Sequence, residues 1–128
     1  MEDLAQIAPL AGTLGIEVTH AAADEVRGGM DWGPEKCTAG GVLHGGALMA
    51  LADTLGGVCA FLNLPDGATA TATVESKTNF FRAVRGGRVA ATTLPLHVGR
   101  TFIVVQTDVV DDEQRRVAQV TQTQAVLR

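Results

Sequence analysis

The spacing of apolar residues changes once along the chain, near its middle. From about 45 to 62 apolar residues recur at intervals of three and four, the period of an amphipathic helix. The positions that form this apolar stripe are Leu48, Leu51, Leu55, Val58 and Leu62. A stripe of this kind is suited to packing on a sheet. The pattern therefore predicts one long helix over 45–62, ended by the turn residues at 65–67.

The segments after this helix are rich in threonine and β-branched residues, which favour strands. Glycine and polar turn residues divide them into four predicted strands, 69–81, 88–98, 101–110 and 116–127. The short connections predict an antiparallel meander, because a parallel pair needs a longer crossover. Pro95 lies inside the second of these strands and predicts an edge position or a bulge there.

The first part of the chain predicts shorter elements. Residues 2–11 favour a short helix that Pro9 limits, 16–21 and 25–32 favour extended stretches, and 37–43 is predicted to be a loop. One long helix with several antiparallel strands defines an α+β fold in which the sheet wraps over the helix. A chain of 128 residues fits a single domain over its whole length and is too short for two ordinary ones.

Composition excludes several classes of protein. Apolar residues make up 46% and charged residues 19%, which is typical of a folded domain without an uninterrupted membrane span. The start MEDLAQ lacks the basic residues of a secretory signal, so a cytoplasmic location is expected. Two cysteines, Cys37 and Cys59, and three scattered histidines lack metal-ligand spacing, and no metal is predicted. A net charge of −4 argues against nucleic acid as a partner.

Basic charge is concentrated in one stretch. The window 76–107 contains no Asp or Glu, and it holds half of the ten basic residues: Lys77, Arg82, Arg85, Arg88 and Arg100. A local anion-binding site is one interpretation. Solvated strand charges that improve solubility are the other.

Asp53 lies within the predicted helix but off its apolar stripe. Aspartate is a poor helix former, so its position needs an explanation. Its neighbours one and two turns away are mostly small residues: Gly46, Met49, Ala50, Gly56 and Gly57. A bare helix face beside a carboxylate is typical of a substrate cleft. An ordinary solvent-facing aspartate is the simpler alternative.

The residues His44-Gly45-Gly46 stand at the start of this helix. The glycines leave the first helical N–H groups accessible, and such donors suit a polarised carbonyl or a developing oxyanion. Paired glycines also serve simply as a turn. For His44 we favour a helix-start residue bonded to the backbone over a catalytic base.

Gly45 and Asp53 are eight residues apart, which corresponds to about 12 Å along a helix. One ester carbonyl cannot contact both residues. If both serve one site, the Gly45 N–H comes from one chain and Asp53 from another, so that a two-fold dimer carries two equivalent sites.

The segment G-x-x-H-G-G-x-x-x-x-L-x-D resembles the hotdog-fold acyl-CoA thioesterases of the phenylacetate-degradation and 4-hydroxybenzoyl-CoA type. Its residues here are Gly41, His44, Gly45, Gly46, Leu51 and Asp53. The segment TVESKTNFFRAV and the Gly99-Arg100 turn are similar to that family's second strand and third turn. The resemblance covers about 15–127 and implies the hotdog fold, a curved antiparallel sheet wrapped around one long central helix.

The resemblance also implies roles for individual residues. Asp53 corresponds to the catalytic carboxylate, acting as nucleophile or general base, and the Gly45 N–H to the donor that polarises the thioester carbonyl. Thr73 corresponds to a hydroxyl that holds the attacking water, on the same chain as the acid. The family commonly has Asn or Gln six residues before the histidine. This chain has Thr38 there, which is shorter and lacks the amide.

These residues predict hydrolysis of an acyl-CoA thioester with an aryl or medium-chain acyl group, and they leave open a carrier-protein thioester, which presents the same phosphopantetheine arm. The expected assembly is a homodimer or a dimer of dimers (a homotetramer) with sites at the subunit interface. CoA is part of the substrate, and no cofactor and no nucleic-acid or membrane partner are expected. The residues expected to contact substrate and its phosphates are Gly46, Arg82, Arg85, Arg88, Gly99 and Arg100.

Two other functions stay open. Thr38 is compatible with a hotdog module that binds acyl-CoA without hydrolysing it, because fold does not fix function. A hydratase or dehydratase would need a paired histidine and acid, and the sequence has no convincing pair of this kind.

Overall fold

Helix α3 (Gly45–Leu62) is the element around which the rest of the chain is arranged. The computed structural model describes residues 4–128. Two short helices, α1 (Leu4–Ile7) and α2 (Pro9–Leu14), come first. The strands are β1 (Glu17–Ala22), β2 (Glu25–Asp31), β3 (Ala70–Phe80), β4 (Arg88–Val98), β5 (Phe102–Val110) and β6 (Arg116–Leu127). Two 3₁₀ turns, Pro34–Lys36 and Ala39–Gly41, lie in and beside the predicted loop 37–43.

Helix α3 has the predicted bounds and packs on all six strands. Leu48, Leu51 and Leu55 of the predicted stripe are buried, and each buried leucine contributes about 1.5–3 kcal/mol. The stripe does not continue as predicted, since Val58 is half-buried and Leu62 is exposed. The last turn instead presents its smaller residues to the sheet. By length and hydropathy α3 would also suit a membrane span, but here its buried face packs on the sheet.

The six strands form one antiparallel sheet in the order β1-β2-β4-β5-β6-β3. Together with the central helix, this is the hotdog fold. Strands β4, β5 and β6 form the predicted meander, but the prediction is wrong for β3, which pairs with β6 and not with β4. The connection 81–87 spans roughly 23 Å when extended, more than the roughly 14 Å of three strand spacings. A short connection therefore does not require neighbouring strands.

The N-terminal prediction is confirmed only in outline. Residues 2–3 of the predicted helix lie outside the described residues. The remainder is divided into α1 and α2 at Ala8, because Pro9 has no N–H with which to continue the first helix. Gly15 ends α2 with a φ of 67°, a left-handed conformation that favours glycine. The extended stretches 16–21 and 25–32 correspond to β1 and β2.

Pro95 lies at a bulge in β4, as predicted. The register of β4 against β5 shifts between Pro95 and His97. Strand β4 is inside the sheet, but its pairing with β2 ends at Thr93. Pro95 therefore interrupts no ladder on the β2 side.

Asp111 organises the turn between β5 and β6. Its carboxylate accepts hydrogen bonds from the N–H of Arg115 at 3.0 Å, the N–H of Glu113 at 2.9 Å and the Nε of Arg115 at 2.9 Å. These bonds, the Arg115 N–H above all, hold the pKa of Asp111 below its ordinary value of 3.8. A carboxyl whose pKa is lowered by folding stabilises the fold above its unfolded pKa. That contribution is lost as the pH falls through the lowered value.

We therefore expect Asp111→Ala to lower the midpoint of urea unfolding at pH 7 and to lower it progressively less as the pH falls below about 4. The measurement is urea unfolding of both proteins from pH 7 to pH 3. Asp66→Ala, an exposed carboxylate in another turn, is the control and should leave the midpoint unchanged. If the difference in urea midpoint between Asp111→Ala and the unmodified protein stayed constant over this pH range, the stabilising role of the Asp111 carboxylate would be contradicted.

Candidate active site

Asp53 lies on the face of α3 that the sheet does not cover, and its side chain is exposed on the protomer. Gly46 and Met49 are exposed on the same face. Gly56, which the sequence places beside them, is instead buried toward the sheet. Asp53 therefore faces solvent, as the simpler alternative predicts, but protein groups also hydrogen-bond its carboxylate.

Two donors bind the same carboxylate oxygen of Asp53. Thr73 Oγ1 on β3 donates to Oδ1 at 2.7 Å, and Gln122 Nε2 on β6 donates to it at 2.6 Å. Gln124 Nε2 in turn donates to Thr73 Oγ1 at 2.6 Å. The other oxygen, Oδ2, accepts no hydrogen bond from the described residues. The carboxylate is thus anchored through one oxygen and leaves the other for a ligand.

Thr73 reaches Asp53 through the register of β3. It pairs with Gln124 on β6, and the strand bulges between Thr73 and Glu75. Bulges re-aim side chains and are common beside active sites. A hydroxyl has a single proton, and that of Thr73 is directed to Asp53. Thr73 can therefore accept a hydrogen bond from a water molecule but cannot donate one to it. If Thr73 holds the attacking water, as the resemblance implies, it does so as an acceptor.

Gln122 and Gln124 are site residues that the sequence did not reveal. Both face the helix and are fully buried, with 0% and 1% of their surface exposed. Along 116–127 neither alternate set of side chains is wholly apolar, so the pattern alone does not say which face is buried. Had that face been known, two glutamines in it would have stood out as buried polar groups.

His44 is the N-cap of α3. Its Nδ1 accepts a hydrogen bond of 2.7 Å from the Gly46 N–H, so the neutral ring carries its proton on Nε2. This is the helix-start role favoured by the sequence. The Gly45 N–H finds no acceptor in the described part of the chain. A Cβ on Gly45 would lie 2.9 Å from Phe80 Cζ, so a larger residue would move that exposed ring.

Gly45 and Asp53 are not brought together within one chain. They belong to a single uninterrupted helix, in which eight residues separate them by about 12 Å. The protomer therefore has an N–H donor at one end of the bare face and a carboxylate in its middle. The two groups are too far apart to contact one thioester carbonyl.

Thr38 lies in the exposed loop before α3. Its N–H donates to the Val42 carbonyl at 2.8 Å, and its side chain is exposed. Two side chains from outside the loop bind its backbone between Thr38 and Val42. Trp32 Nε1 donates to the Gly41 carbonyl, and Arg85 Nη1 donates to the Gly40 carbonyl. The loop is therefore fixed from two sides near Gly45.

A cavity of about 760 Å³ opens beside Asp53. Its walls are mostly apolar and come from α1, from the second half of α3 and from the start of β3. They include Leu4, Ile7, Val58, Phe61 and Leu62. The apolar stripe residues that the sheet leaves uncovered thus line a space next to the carboxylate. A smaller cavity of about 310 Å³, near Arg85 and Asp111, has no contact with Asp53.

The basic window divides between two ends of the molecule. Arg82 and Arg85 lie toward Gly45, because the Leu43 N–H donates to the carbonyl of Val84, between them. Arg100 lies toward Asp53, since its turn is bonded to β6 through the Val126 N–H and the Thr101 carbonyl, next to Gln124. Within that turn the Gly99 N–H donates to the Phe102 carbonyl at 2.9 Å.

Arg88 differs from the other arginines of the window. Its Nη1 lies 3.0 Å from Glu17 Oε1 and 3.0 Å from Asp31 Oδ1. The hydrogen bond with Asp31, with the charge of Glu17, raises the pKa of the guanidinium above its ordinary value. Two acids distant in the sequence therefore balance the charge of Arg88, which makes it less suited to bind a phosphate.

Comparisons with known proteins give a consistent result. Residues 40–118 match the thioesterase superfamily. The chain is 34% identical to the proofreading thioesterase EntH of Cronobacter turicensis, over 86% of this chain and 80% of that protein. It is 30% identical to the 1,4-dihydroxy-2-naphthoyl-CoA hydrolase of Escherichia coli, over 92% and 86%. A solved thioesterase of Haemophilus influenzae superposes with a TM-score of 0.90 at 30% identity, over 99% and 90%.

The cap at His44 leads to a prediction about stability. His44→Ala removes the acceptor of the Gly46 N–H and should reduce the free energy of unfolding by about 0.5–2 kcal/mol. His44→Asn supplies another good N-cap and should retain most of that free energy. Urea unfolding measures both, with His97→Ala as an exposed control. Equal stability of His44→Ala and His97→Ala would refute the capping role.

Proposed function

The chain belongs to the thioesterase superfamily, and from this premise we propose that it hydrolyses acyl-CoA thioesters to CoA and the free acid. The observation that carries the proposal is the Asp53 carboxylate, anchored through Oδ1 on a bare helix face, with Oδ2 available beside an apolar cavity. A carboxylate in this position either attacks the thioester carbonyl or deprotonates a water molecule that attacks it. Both routes use the same oxygen.

The second half of the proposed site is the start of α3. The Gly45 N–H stands at the positive end of the helix dipole and is suited to polarise a carbonyl oxygen. Because about 12 Å separates it from Asp53 of the same chain, we propose that it acts on the substrate held by the partner's carboxylate. Each dimer would then have two composite sites.

The edge of the sheet supports this assembly. Strand β3 is 11 residues long and pairs only with β6 among residues 4–128, so its other edge is unpaired. Long unpaired edges associate readily unless they are covered. Val74 and Phe80 on this strand are 58% and 51% exposed. Two-fold pairing of β3 with its copy would extend the sheet and bring the bare faces of the two helices together.

The divided basic charge agrees with the same dimer. Arg82 and Arg85 lie at the Gly45 end of a chain and Arg100 at the Asp53 end. A composite site would therefore receive arginines from both chains, and a guanidinium is suited to bind the phosphates of CoA. We propose Arg82 and Arg100 as phosphate contacts. Arg85 lies beside Arg82 and donates a hydrogen bond to the loop that contains Thr38.

The acyl group is proposed to occupy the cavity beside Asp53. A volume of about 760 Å³ with mostly apolar walls suits an aryl or medium-chain group. The E. coli relative is named for an aryl-CoA substrate, which supports an aryl group here. These features favour the phenylacetate-degradation or 4-hydroxybenzoyl-CoA type within the superfamily.

The first test is hydrolysis of a panel of aryl-CoA and fatty acyl-CoA esters, measured by the release of the free thiol. The unmodified protein should hydrolyse at least one class, and Asp53→Asn should reduce kcat by at least about 100-fold. Asp66→Asn, in an exposed turn, is the matched control. No hydrolysis of any ester, or equal rates for Asp53→Asn and the unmodified protein, would show that the assignment is wrong. Tight binding with the ester left intact would favour a binding module.

The second test asks whether the sites are composite. Gly45→Pro removes the N–H at a helical position that tolerates proline, and alone it should be as inactive as Asp53→Asn. Gly45→Ala, which places a Cβ against Phe80 but keeps the N–H, is its control and should stay active. When Gly45→Pro and Asp53→Asn are co-expressed, half of the dimers are mixed and each mixed dimer has one intact site. About a quarter of the unmodified activity should therefore return. If Gly45 and Asp53 acted within one chain, the mixture would stay as inactive as each variant.

A further inference from the structure

We propose that Gln122 is a positioning residue, which with Gln124 behind it fixes Asp53 so that Oδ2 is the reacting oxygen. The inference rests on the proposed function, since it assigns a task to groups around the proposed catalytic carboxylate. Neither glutamine contacts the cavity beside Asp53, so both act through other residues and not on the substrate.

The direction of each hydrogen bond follows from the chemistry of the groups. An ionised carboxylate only accepts, so the Gln122 amide must present its nitrogen to Asp53. Gln124 presents its nitrogen to the Thr73 hydroxyl, which occupies an acceptor site of that oxygen. The Thr73 proton is then directed to Asp53 Oδ1. Two donors converge on one oxygen because both glutamines are oriented.

The geometry also favours one plane of the carboxylate. Rotation out of this plane would weaken two hydrogen bonds at once, and their lengths of 2.7 Å and 2.6 Å are short. An exposed aspartate without such donors samples several orientations. Holding one orientation increases the fraction of molecules that are ready to react.

This arrangement has a cost in stability. Gln122 is fully buried, and its Oε1 receives no hydrogen bond from the described residues. A buried carbonyl without a donor is unfavourable. The other buried polar pair of the sheet, Thr93 and Thr107, is matched internally at 2.6 Å. Gln122 thus donates to Asp53 while its own oxygen stays without a hydrogen bond from the described residues. An unfavourable arrangement of this kind is expected of a residue retained for function.

The helix also makes room for Gln122. A Cβ on Gly56 would collide with Gln122 Oε1, so any larger residue at this point of α3 would displace the amide. Gly56 costs helix stability relative to alanine, and the space beside Gln122 explains its presence. Two independent features, a buried amide and a glycine opposite it, therefore serve the same contact.

The test is Gln122→Met, which keeps nearly the same length and removes the donor. We expect kcat on the best thioester of the panel to fall about 10- to 100-fold, with KM changed by less than about two-fold. We also expect the midpoint of thermal unfolding to be unchanged or higher, because an unpaired buried carbonyl is removed. A structural residue would show the opposite pattern, with lower stability and an unchanged kcat for the folded protein.

Gln119→Met is the matched control. Gln119 lies on the same strand and donates to Asp108 at 3.0 Å, a glutamine bonded to an aspartate away from the site. It should leave kcat unchanged. If Gln122→Met folds poorly, Gln124→Met tests the same arrangement through Thr73 and should lower kcat without a change in KM. A kcat equal to that of the unmodified protein in the folded variants would overturn the inference.

A double-mutant comparison identifies the residue through which Gln122 acts. In an Asp53→Asn background, Gln122→Met should cause no further loss of residual activity, because its partner carboxylate is absent. A further loss of the full 10- to 100-fold would overturn the inference. The unmodified protein distinguishes the two proposals. If it hydrolyses no thioester, the proposed function fails, whereas an active protein with an unaffected Gln122→Met variant refutes only the positioning role.

Discussion

The packing of one apolar helix face into one sheet is the interaction on which the rest of the molecule depends. Helix α3 contacts all six strands, and Leu51 and Leu55 are completely buried between them. The other described elements beside α3 are short helices: α2 contacts α3, and α1 lines the cavity with it. They leave Gly46, Met49 and Asp53 exposed. The bare face and the cavity beside it follow from this imbalance between one helix and one sheet, whereas the unpaired edge of β3 follows from its place at the end of the strand order.

The bare face explains why an aspartate is tolerated in the middle of an apolar helix. Asp53 avoids the cost of full burial because it stays exposed on the protomer, yet protein donors fix its orientation. The donors come from β3 and β6, adjacent strands at one end of the sheet order. A site of this kind needs the helix to display the acid and the sheet to hold it, which couples the geometry of the carboxylate to the packing of the core.

Charge illustrates how folding changes a pattern that is plain in the sequence. The window 76–107 has no acid of its own, yet Arg88 is paired with Glu17 and Asp31 from β1 and β2. The remaining arginines lie at opposite ends of the molecule. A stretch that is uniformly basic along the chain is therefore not a single basic surface, and its arginines converge only in the dimer that we propose.

The sequence by itself determined the helix bounds, the strands and the separation of Gly45 from Asp53, because these depend on local periodicity and on the fixed rise of a helix. It also led to Thr73 through a family resemblance. Only the tertiary structure decided that β3 pairs with β6, that acids of β1 and β2 pair with Arg88, and that Gln122 donates to Asp53 and Gln124 to Thr73. These features join residues distant in the chain, and strand order and buried face are set by packing, which no local pattern in β6 records.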